Sequence, residues 1–582
     1  MFTQNHRAVF DSLVNTGTIM KTLYIILSVF ILLHGTVYAQ RMLSPSPDAV
    51  FYNGKVVTID SVNNISEAFA VKDGRFLAVG KSDEILAMAG PETETVDLGE
   101  HAVIPGLMDN HNHQYHVALL TLRGVDLHGI KSISEMIDLL QGAIASAVPG
   151  ETIYTTMSWS ASDLLEKRGP SLEELDRIGP DNPIVVYATR SRLHVNSAAL
   201  KVLGVSRQSE SSAMLRFEFD AAGEPTGLIT GIPASVLLFA GRVVPQPSLD
   251  EQMNLISQIQ IKQHAMGLTG IRDLQLYPDV MRAYFELWRE GGLTMRVSMG
   301  LELNAGEEDQ LDAMLGPWGV GPGFGDEWLR IDGIAEYNPG DRVREPYSNG
   351  DGTYTGRYRL AEEDFIQAIR KMNHYGWRPS IHVAGDRTLD LVLDAYEAAD
   401  RDRSIKGRRW IVEHIQLVHD DQIERIKRLG VMVSAQFQPY RRAANSVRVW
   451  GRQRAERAMR IRDLLDAGII VSGGSDWPGS PNNPFINIYY YVSRDTVDLG
   501  PLGVDQKITR QDAIKVMSLN NAYLTHEEHL KGSIEPGKLA DFLILSDDIL
   551  SVPEQQILNI KPLATYVGGR NVYKRQGSRF LP

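Results

Sequence analysis

The chain has 582 residues, of which 43% are hydrophobic and 51 are glycines, so it can bury the core of a large α/β domain and a smaller companion domain. A formal net charge of -13 argues against a nucleic-acid partner, because binding to a phosphate backbone requires a basic surface. Cysteine is absent, which excludes disulfides, thiolate metal ligands and a cysteine nucleophile. Any metal must therefore be held by histidine and carboxylate groups.

The N-terminus predicts an export signal. Lys21 is followed by an apolar run that reaches Leu33, and residues 37–39 offer small side chains for cleavage before Gln40. The run is short for a membrane span. We therefore expect residues 1–39 to be an extension with a cleaved signal peptide, and the mature protein to be periplasmic or extracellular without a stable membrane span. An uncleaved membrane anchor is the alternative.

Short β-strands are predicted at both ends of the remaining chain. β-branched and aromatic runs at residues 50–59 and 68–79 are broken by Asn-Gly and Asp-Gly pairs, which are strong hairpin signals. Similar runs with glycine punctuation follow at residues 532–545 and 564–573. The two ends therefore predict one small β domain built from both termini.

The middle of the chain alternates apolar runs with amphipathic helices, which is the pattern of parallel β/α units. The predicted strands include residues 270–274, 295–299, 380–382, 410–414, 431–434 and 469–476. The segment at about 117–247 is long for a simple crossover. We expect part of it to be an insertion that covers the mouth of a barrel and shapes a substrate pocket.

Polar residues follow the first apolar run of this middle region. Residues 103–108 are apolar and lead into His111 and His113, whose side chains share one face if the strand continues. The C-terminal end of a buried parallel strand is where barrel enzymes keep their chemistry. The two imidazoles look like one side of a metal site, although a loop histidine beside a hydrogen-bonded core histidine is the alternative.

Three further predicted strands end in residues of the type that binds metals: His382, His414 and Asp476. Each alone is a weak signal, because a histidine at a strand end is often only hydrogen-bonded and an aspartate there often caps a helix. Together with His111 and His113 they give four imidazoles and one carboxylate at one rim. This set suits zinc or a similar divalent metal.

Four ordered motifs resemble those of the amidohydrolase superfamily, and most of all those of the amidohydrolase 3 family, which includes N-substituted formamide deformylases. They are PGLMDNHNH at residues 105–113, HVAGD at 382–386, VEHIQ at 412–416 and GGSDWP at 473–478. The resemblance implies a (β/α)8 TIM-like barrel at residues 104–528 and a flanking β-sandwich formed by residues 48–103 and 529–575. It also implies a centre of one or two divalent ions that hydrolyses amide or related C–N bonds.

The resemblance also implies roles for single residues. His111 and His113 would bind the more buried metal, and His382 and His414 the second, or His382 would complete a one-metal site. Asp476 would be both a ligand and the proton shuttle. The chemistry is consistent, because a bound dication lowers the pKa of water towards about 7 and a neighbouring carboxylate can take the remaining proton. The metal or His414 would polarise the carbonyl group.

The sequence departs from the family at one position. Many members carry a lysine, modified to a carbamate that bridges two metals, on the strand before the one that ends at His382. Ala335 occupies that position here, and no lysine occurs between Lys262 and Lys371. Glu336 is the nearest substitute, but neighbouring residues on a strand face opposite sides, so it would need a bulge or a register difference. A bridge by Glu336 and a one-metal site both stay open.

Two further residues are candidates for contact with substrate. His194 lies in a stretch that resembles the family. We expect it either to contact substrate or to be a polar residue of the insertion whose hydrogen bonds are made within the protein. Trp477 would form part of an apolar wall. Asp386 is expected to cap a helix, and Glu413 is expected to be structural because it should face away from its neighbour His414.

The sequence thus predicts a metal-dependent hydrolase of non-peptide C–N bonds in a small molecule, with an N-acyl or N-formyl amine as the first substrate class. A deaminase or a cyclic amide hydrolase is the alternative, and a one-metal site would favour deamination. A barrel that binds small molecules without catalysis is the alternative from another class, because the lysine is missing. A homodimer is one expected assembly.

Overall fold

The computed structural model describes residues 46–114, 123–189, 191–212, 215–231, 240–244, 247–303, 310–348, 353–477 and 482–578. The predicted signal peptide lies outside the described residues, so export stays a prediction. Of the helices in the described ranges, none combines the length and the apolar character that a bilayer crossing requires.

The N-terminal part is rich in β structure, as its hairpin signals predict. It contains β1 (Ala49–Tyr52), β2 (Lys55–Val57), β3 (Ile65–Ser66), β4 (Ala68–Lys72), β5 (Arg75–Gly80), helix α1 (Ser82–Leu86), β6 (Glu94–Asp97) and β7 (Ala102–Pro105). Asn53 and Asp73 of the Asn-Gly and Asp-Gly pairs adopt positive φ angles of 59° and 49°, the left-handed conformation that these tight connections require.

The first barrel strand, β8 (Leu107–Asn112), follows directly and leads into the insertion. The described parts of the insertion are α2 (Ile133–Ala145), β9 (Ile153–Tyr154), α3 (Leu172–Ile178), β10 (Ile184–Thr189), β11 (Arg192–Val195), α4 (Ser197–Leu203), β12 (Leu215–Phe219) and β13 (Pro225–Gly231). The five strands among them form a separate sheet in the order β12-β13-β11-β10-β9. The insertion leaves the barrel beside His111 and His113, and its role as a cover of the mouth stays a prediction.

The rest of the barrel alternates strands with helices. Its elements are α5 (Leu249–His264), β14 (Leu268–Leu276), α6 (Pro278–Arg289), β15 (Arg296–Leu301), α7 (Leu311–Leu315), β16 (Leu329–Tyr337), the hairpin of β17 (Gly340–Ser348) and β18 (Thr353–Tyr358), α8 (Glu362–His374), β19 (Pro379–Val383), α9 (Asp386–Asp402), β20 (Ile411–His414), α10 (Asp420–Leu429), β21 (Met432–Gln436), α11 (Gln438–Trp450), α12 (Arg452–Glu456), α13 (Ile461–Asp466), β22 (Val471–Gly474) and α14 (Pro484–Ser493).

The barrel sheet runs in the order β22-β21-β20-β19-β16-β15-β14-β8, and all paired neighbours are parallel. Hydrogen bonds from Asp476 N to the carbonyl of His111 (2.8 Å) and from His113 N to the carbonyl of Trp477 (3.1 Å) join its first and last strands. A Cβ atom at Gly474 would lie 2.7 Å from His111 N, so this close approach requires glycine. The predicted barrel is therefore confirmed.

The C-terminal part completes the smaller domain. It contains α15 (Arg510–Val516), α16 (Leu519–Leu524), β23 (Phe542–Leu545), β24 (Pro562–Val567) and β25 (Arg570–Lys574). One sheet has the order β25-β24-β23-β7-β2-β3 and so combines strands from both termini, whereas the other has the order β5-β4-β1-β6. Phe51, Phe69, Phe542 and Tyr566 are buried together, with Phe542 and Tyr566 stacked at 4.4 Å. The predicted β-sandwich built from both termini is therefore also confirmed.

Candidate metal centre

His111 is held in the orientation that a metal ligand needs. Its side chain is fully buried, and its Nδ1 lies 2.8 Å from Glu413 Oε2. A carboxylate can only accept, so Nδ1 carries the hydrogen and Nε2 presents its lone pair to the centre. In the described part of the structure this Nε2 makes no hydrogen bond of ordinary length, and it lies 3.6 Å from oxygens of both Glu336 and Asp476.

His113 and Asp476 complete a first group with His111. His113 Nε2 lies 3.4 Å from Asp476 Oδ1, which is itself 3.6 Å from His111 Nε2. Donor atoms that share a tetrahedral zinc ion at 2.0–2.2 Å are separated by about 3.4 Å, because the two bonds enclose the tetrahedral angle. The spacing of the three donor atoms therefore fits a metal ion held between them.

Glu336 reaches the centre through a bulge in β16. The residues on either side of it pair with Ser380 and Ile381, which are adjacent in β19, so Glu336 is one residue more than the partner strand has. Its Oε1 lies 2.8 Å from His414 Nε2 and contacts His382 Nδ1. Strand alternation requires a bulge or a register difference for Glu336 to face inward, and the structure has such a bulge.

His414 forms a second group with Glu336 and His111. The donor atoms of the three residues lie within 4.8 Å of one another, so His111 belongs to both groups. Glu336 Oε2 also lies 4.0 Å from His113 Nε2 of the first group. The ring of His414 is 4.7 Å from that of His111 and 4.5 Å from that of His382. The structure therefore brings together all six predicted metal-binding residues: His111, His113, Glu336, His382, His414 and Asp476. Their role as ligands stays a prediction.

The electrostatics of the centre favour a cation. Burial lowers the pKa of His111, but the charges of Glu413 and Glu336 outweigh burial and raise it to about 10. Burial also lowers the pKa of His382, which the charges of Asp341 and Glu336 raise to about 10. The negative charge of these carboxylates stabilises a proton on each imidazole. A divalent ion that replaces these protons is stabilised by the same negative charge.

Asp476 is placed differently from the buried ligand candidates. Its side chain is 15% exposed, whereas those of His111 and His113 are 0% exposed. Its Oδ2 accepts a hydrogen bond of 3.0 Å from Gln438 Nε2, which also lies 3.2 Å from His414 Nδ1. Asp476 and His414 have positive φ angles of 55° and 68°, a conformation that costs free energy in non-glycine residues and is held here by the surrounding barrel strands.

The β17–β18 hairpin adds Asp341, which is absent from the predicted site residues. Asp341 Oδ2 lies 3.1 Å from His382 Nε2, and its Oδ1 accepts hydrogen bonds from the backbone N–H groups of Ala384 (2.9 Å) and Gly385 (3.3 Å). Burial raises the pKa of Asp341, but His382 and these hydrogen bonds lower it to about 2. The only sequence signal is an acidic residue shortly after the strand that carries Glu336.

Glu413 and Gln438 also take part without having been predicted as site residues. Both Glu413 and His414 approach the centre, because the strand alternation that should separate them ends where His414 adopts its positive φ. Glu413 is structural in the sense that it orients His111. Asp386 is the first residue of α9, and Gly385 is the N-cap, so the predicted cap position is wrong by one residue.

The two predicted substrate contacts are placed as follows. His194 lies on β11 in the insertion, 6.3 Å from the Trp159 ring, and burial lowers its pKa to about 4. Trp477 packs against Leu255 and Ile259 of α5. Contact of either His194 or Trp477 with substrate stays a prediction.

A profile of the amidohydrolase family matches residues 94–573 of the chain. The chain is 26% identical over 548 residues to the N-substituted formamide deformylase of Arthrobacter pascens, which covers 91% of this chain and 99% of that protein. It is 27% identical over 545 residues to the putative amidohydrolase YtcJ of Bacillus subtilis strain 168, covering 90% and 99%. An uncharacterized metal-dependent hydrolase from Pyrococcus furiosus has a solved structure that aligns with a TM-score of 0.68 at 25% identity, covering 86% of this chain and 100% of that one. The chain therefore belongs to the amidohydrolase family.

Proposed function

We propose that the protein is a metal-dependent hydrolase that cleaves a non-peptide amide or formamide C–N bond of a small molecule. The observation that carries this proposal is the partly exposed carboxylate of Asp476, which lies beside two groups of buried imidazole and carboxylate donors at the C-terminal ends of the barrel strands. The similarity to a protein named as an N-substituted formamide deformylase supports the substrate class.

His111, His113 and Asp476 would hold one divalent ion, and Glu336 with His414 and His382 would hold a second. Nitrogen and oxygen donors at this spacing suit zinc, which binds imidazole and carboxylate ligands. A divalent ion held there supplies a Lewis acid that lowers the pKa of water and polarises a carbonyl oxygen. Glu413 fixes the His111 tautomer through Nδ1.

Asp476 would take a proton from the attacking water and deliver it to the leaving nitrogen. Gln438 fixes its Oδ2, so the carboxylate does not need to reorganise before proton transfer. The substrate would approach from the side of Asp476, His382 and Asp341, whose side chains are 15%, 21% and 39% exposed, because the remaining ligand candidates are buried.

Product analysis tests the proposal. The purified protein, loaded with zinc, should release formate or a carboxylate from a panel of N-formyl and N-acyl amines, and a chelator should abolish this release. Ammonia from an aminated heterocycle, without hydrolysis of the N-acyl panel, would contradict the proposal and favour the deaminase. Metal binding without turnover in either panel would favour the binding barrel.

Removal of the Glu336 carboxylate should change the metal stoichiometry. We expect two equivalents of metal in the wild-type protein and one or none in Glu336→Ala, because the Glu336 carboxylate lies 2.8 Å from His414, 3.6 Å from His111 and 4.0 Å from His113. Elemental analysis after dialysis measures this, and Glu290→Ala, at a side chain that is 57% exposed, is the matched control. One equivalent in both wild type and Glu336→Ala would contradict the bridge and identify a one-metal site.

Loss of the Asp341 charge should weaken metal binding at His382. A carboxylate that accepts from the second nitrogen of a metal-binding histidine typically contributes about 10- to 100-fold in affinity. We therefore expect Asp341→Asn to weaken the binding of one metal ion by that factor, measured by competition with a chelating dye. Asp364→Asn, which removes an equal charge from an exposed position on α8, should leave the affinity unchanged. Equal affinities in the two variants would show that Asp341 does not position His382.

A further inference from the structure

Arg359 lies at the base of the hairpin that carries Asp341. It directly follows β18, and its backbone N–H donates to the carbonyl of Pro339 (2.8 Å). The neighbouring residue Tyr358 pairs with Gly340, and Arg357 pairs with Asp341, whose carboxylate contacts His382. Arg359 is therefore anchored beside the exposed edge of the metal centre.

The guanidinium of Arg359 is partly buried but has no ion-pair or hydrogen-bond partner among the described residues. Three other arginines around this hairpin are paired, and Arg357 is exposed to water. Arg344 contacts Asp390 (2.5 Å) and Asp421 (2.8 Å), Arg342 lies 3.8 Å from Glu362, and Arg387 lies 3.4 Å from that same carboxylate. Withdrawal of a guanidinium from water is costly without a partner, so Arg359 needs an explanation that its neighbours do not.

Two of the three carboxylates that act on Arg359 belong to the centre. Burial lowers its pKa, and the carboxylates of Asp341, Glu336 and Glu302 raise it, in that order. The oxygens of Asp341 and Glu336 accept from His382, His414 and backbone N–H groups, and none of them is hydrogen-bonded to Arg359. Metal ions would neutralise these carboxylates further and leave the guanidinium available to an anion.

We propose that Arg359 recognises an anionic group of the substrate, so that the N-acyl or N-formyl amine cleaved at the metal centre carries a carboxylate. This inference rests on the proposed function, because it places the carboxylate on the substrate of the same site. A guanidinium matches a carboxylate with two parallel N–H···O bonds, which fixes the orientation of the ligand as well as its charge. Arg359 would thereby position the scissile bond beside Asp476.

Binding of two matched probes tests the proposal without turnover. N-formylphenylalanine carries a carboxylate, and N-formyl-2-phenylethylamine is the same molecule without it. We expect the zinc-loaded Asp476→Asn protein to bind the carboxylate probe about 10- to 100-fold more tightly, because hydrogen bonds to a charged group contribute on that scale. Titration calorimetry measures both dissociation constants. A second substitution, Arg359→Gln in the Asp476→Asn protein, should abolish the difference between them.

Two further variants make the outcome specific. Arg357→Gln removes a charge from an exposed position of the same hairpin and should keep the preference for the carboxylate probe. Arg359→Lys keeps the charge without the planar fork and should retain part of the preference. Unchanged metal content in each variant shows that the centre has folded.

Three outcomes of the binding experiment would overturn the proposal: no preference in the protein with Arg359 intact, a preference that survives Arg359→Gln, or an equal loss in Arg357→Gln. Survival in Arg359→Gln would place the carboxylate on the metal. Failure of the proposed function is distinguishable from these outcomes, because it leaves an Arg359-dependent binding preference in a protein that hydrolyses neither probe. Hydrolysis of both probes with equal kcat/KM in the enzyme with Asp476 intact would keep the function and overturn the inference.

Discussion

Asp476→Asn is expected to lower kcat by about 10²- to 10⁴-fold at saturating zinc, which is the usual contribution of a positioned general acid or base. The substitution keeps the shape of the side chain and its contact with Gln438, but an amide cannot accept the proton of the attacking water. The buried donors His111 and His113 remain. We therefore expect a zinc-loaded, folded protein that binds substrate but turns it over slowly.

The measurement combines kcat with metal content on the same sample. Asp466→Asn, at a side chain that is 64% exposed, changes the same functional group and should keep full activity. Unchanged turnover in Asp476→Asn would remove Asp476 from proton transfer. A loss of turnover that follows a loss of zinc, and that excess zinc reverses, would assign the residue to metal binding alone.

The barrel and the β-sandwich follow from local patterns in the sequence. Largely apolar runs such as residues 431–435 alternate with amphipathic helices, and a fully buried parallel strand needs such a run because both of its faces are covered. The joining of the two termini also follows, since β7 and β23 are too short and too apolar to stand alone. The sheet within the insertion is not predictable in this way, because the alternation in a strand such as β12 fixes which face is buried but not which strand it pairs with.

The metal-binding candidates follow from strand ends, but their supporting contacts do not. His382 and His414 close apolar runs, so their common rim is a consequence of the parallel topology. Asp341 and Gln438 reach that rim from a hairpin and a helix whose positions depend on packing, which a single sequence does not encode locally. Glu336 can be identified as a candidate from the sequence, but its orientation cannot, because that depends on a bulge that no side-chain pattern predicts.

Arg272 links the centre to the barrel interior, which is unusually polar below the metal-binding candidates. Its side chain is 1% exposed, and its Nη1 lies 2.6 Å from Glu413 Oε1 and 3.1 Å from the carbonyl of Asn110. Its Nε lies 2.7 Å from Asp332 Oδ2. Burial raises the pKa of Glu413, but the charges of Arg272 and His111 hold it well below its usual value. The same guanidinium thus keeps ionised the carboxylate that orients His111.

Arg272→Met is expected to lower the free energy of unfolding of the barrel by about 3 kcal/mol, the lower end of the cost of breaking a buried pair, because Glu413 and Asp332 lose their shared cation while Asp332 keeps its contact with Arg378. Fluorescence of the buried Trp377 and Trp410 during urea unfolding of the metal-free protein measures this change. Arg289→Met, at a side chain that is 60% exposed, should leave the free energy of unfolding almost unchanged, because surface ion pairs contribute little to stability.

A double variant separates the stability of the barrel from the function of Glu413. Arg272→Met with Glu413→Gln removes both members of one buried pair, so part of the lost stability should return relative to Arg272→Met alone. Zinc affinity should not return, because a neutral amide at position 413 accepts more weakly from Nδ1 of His111 than a carboxylate does. If the double variant regains both stability and zinc affinity, Arg272 acts only through charge balance. If Arg272→Met alone loses neither stability nor zinc affinity, the proposed role of this network is wrong. Recovery of stability alone would establish that the ion pair exists to hold the orienting carboxylate of a metal-binding histidine.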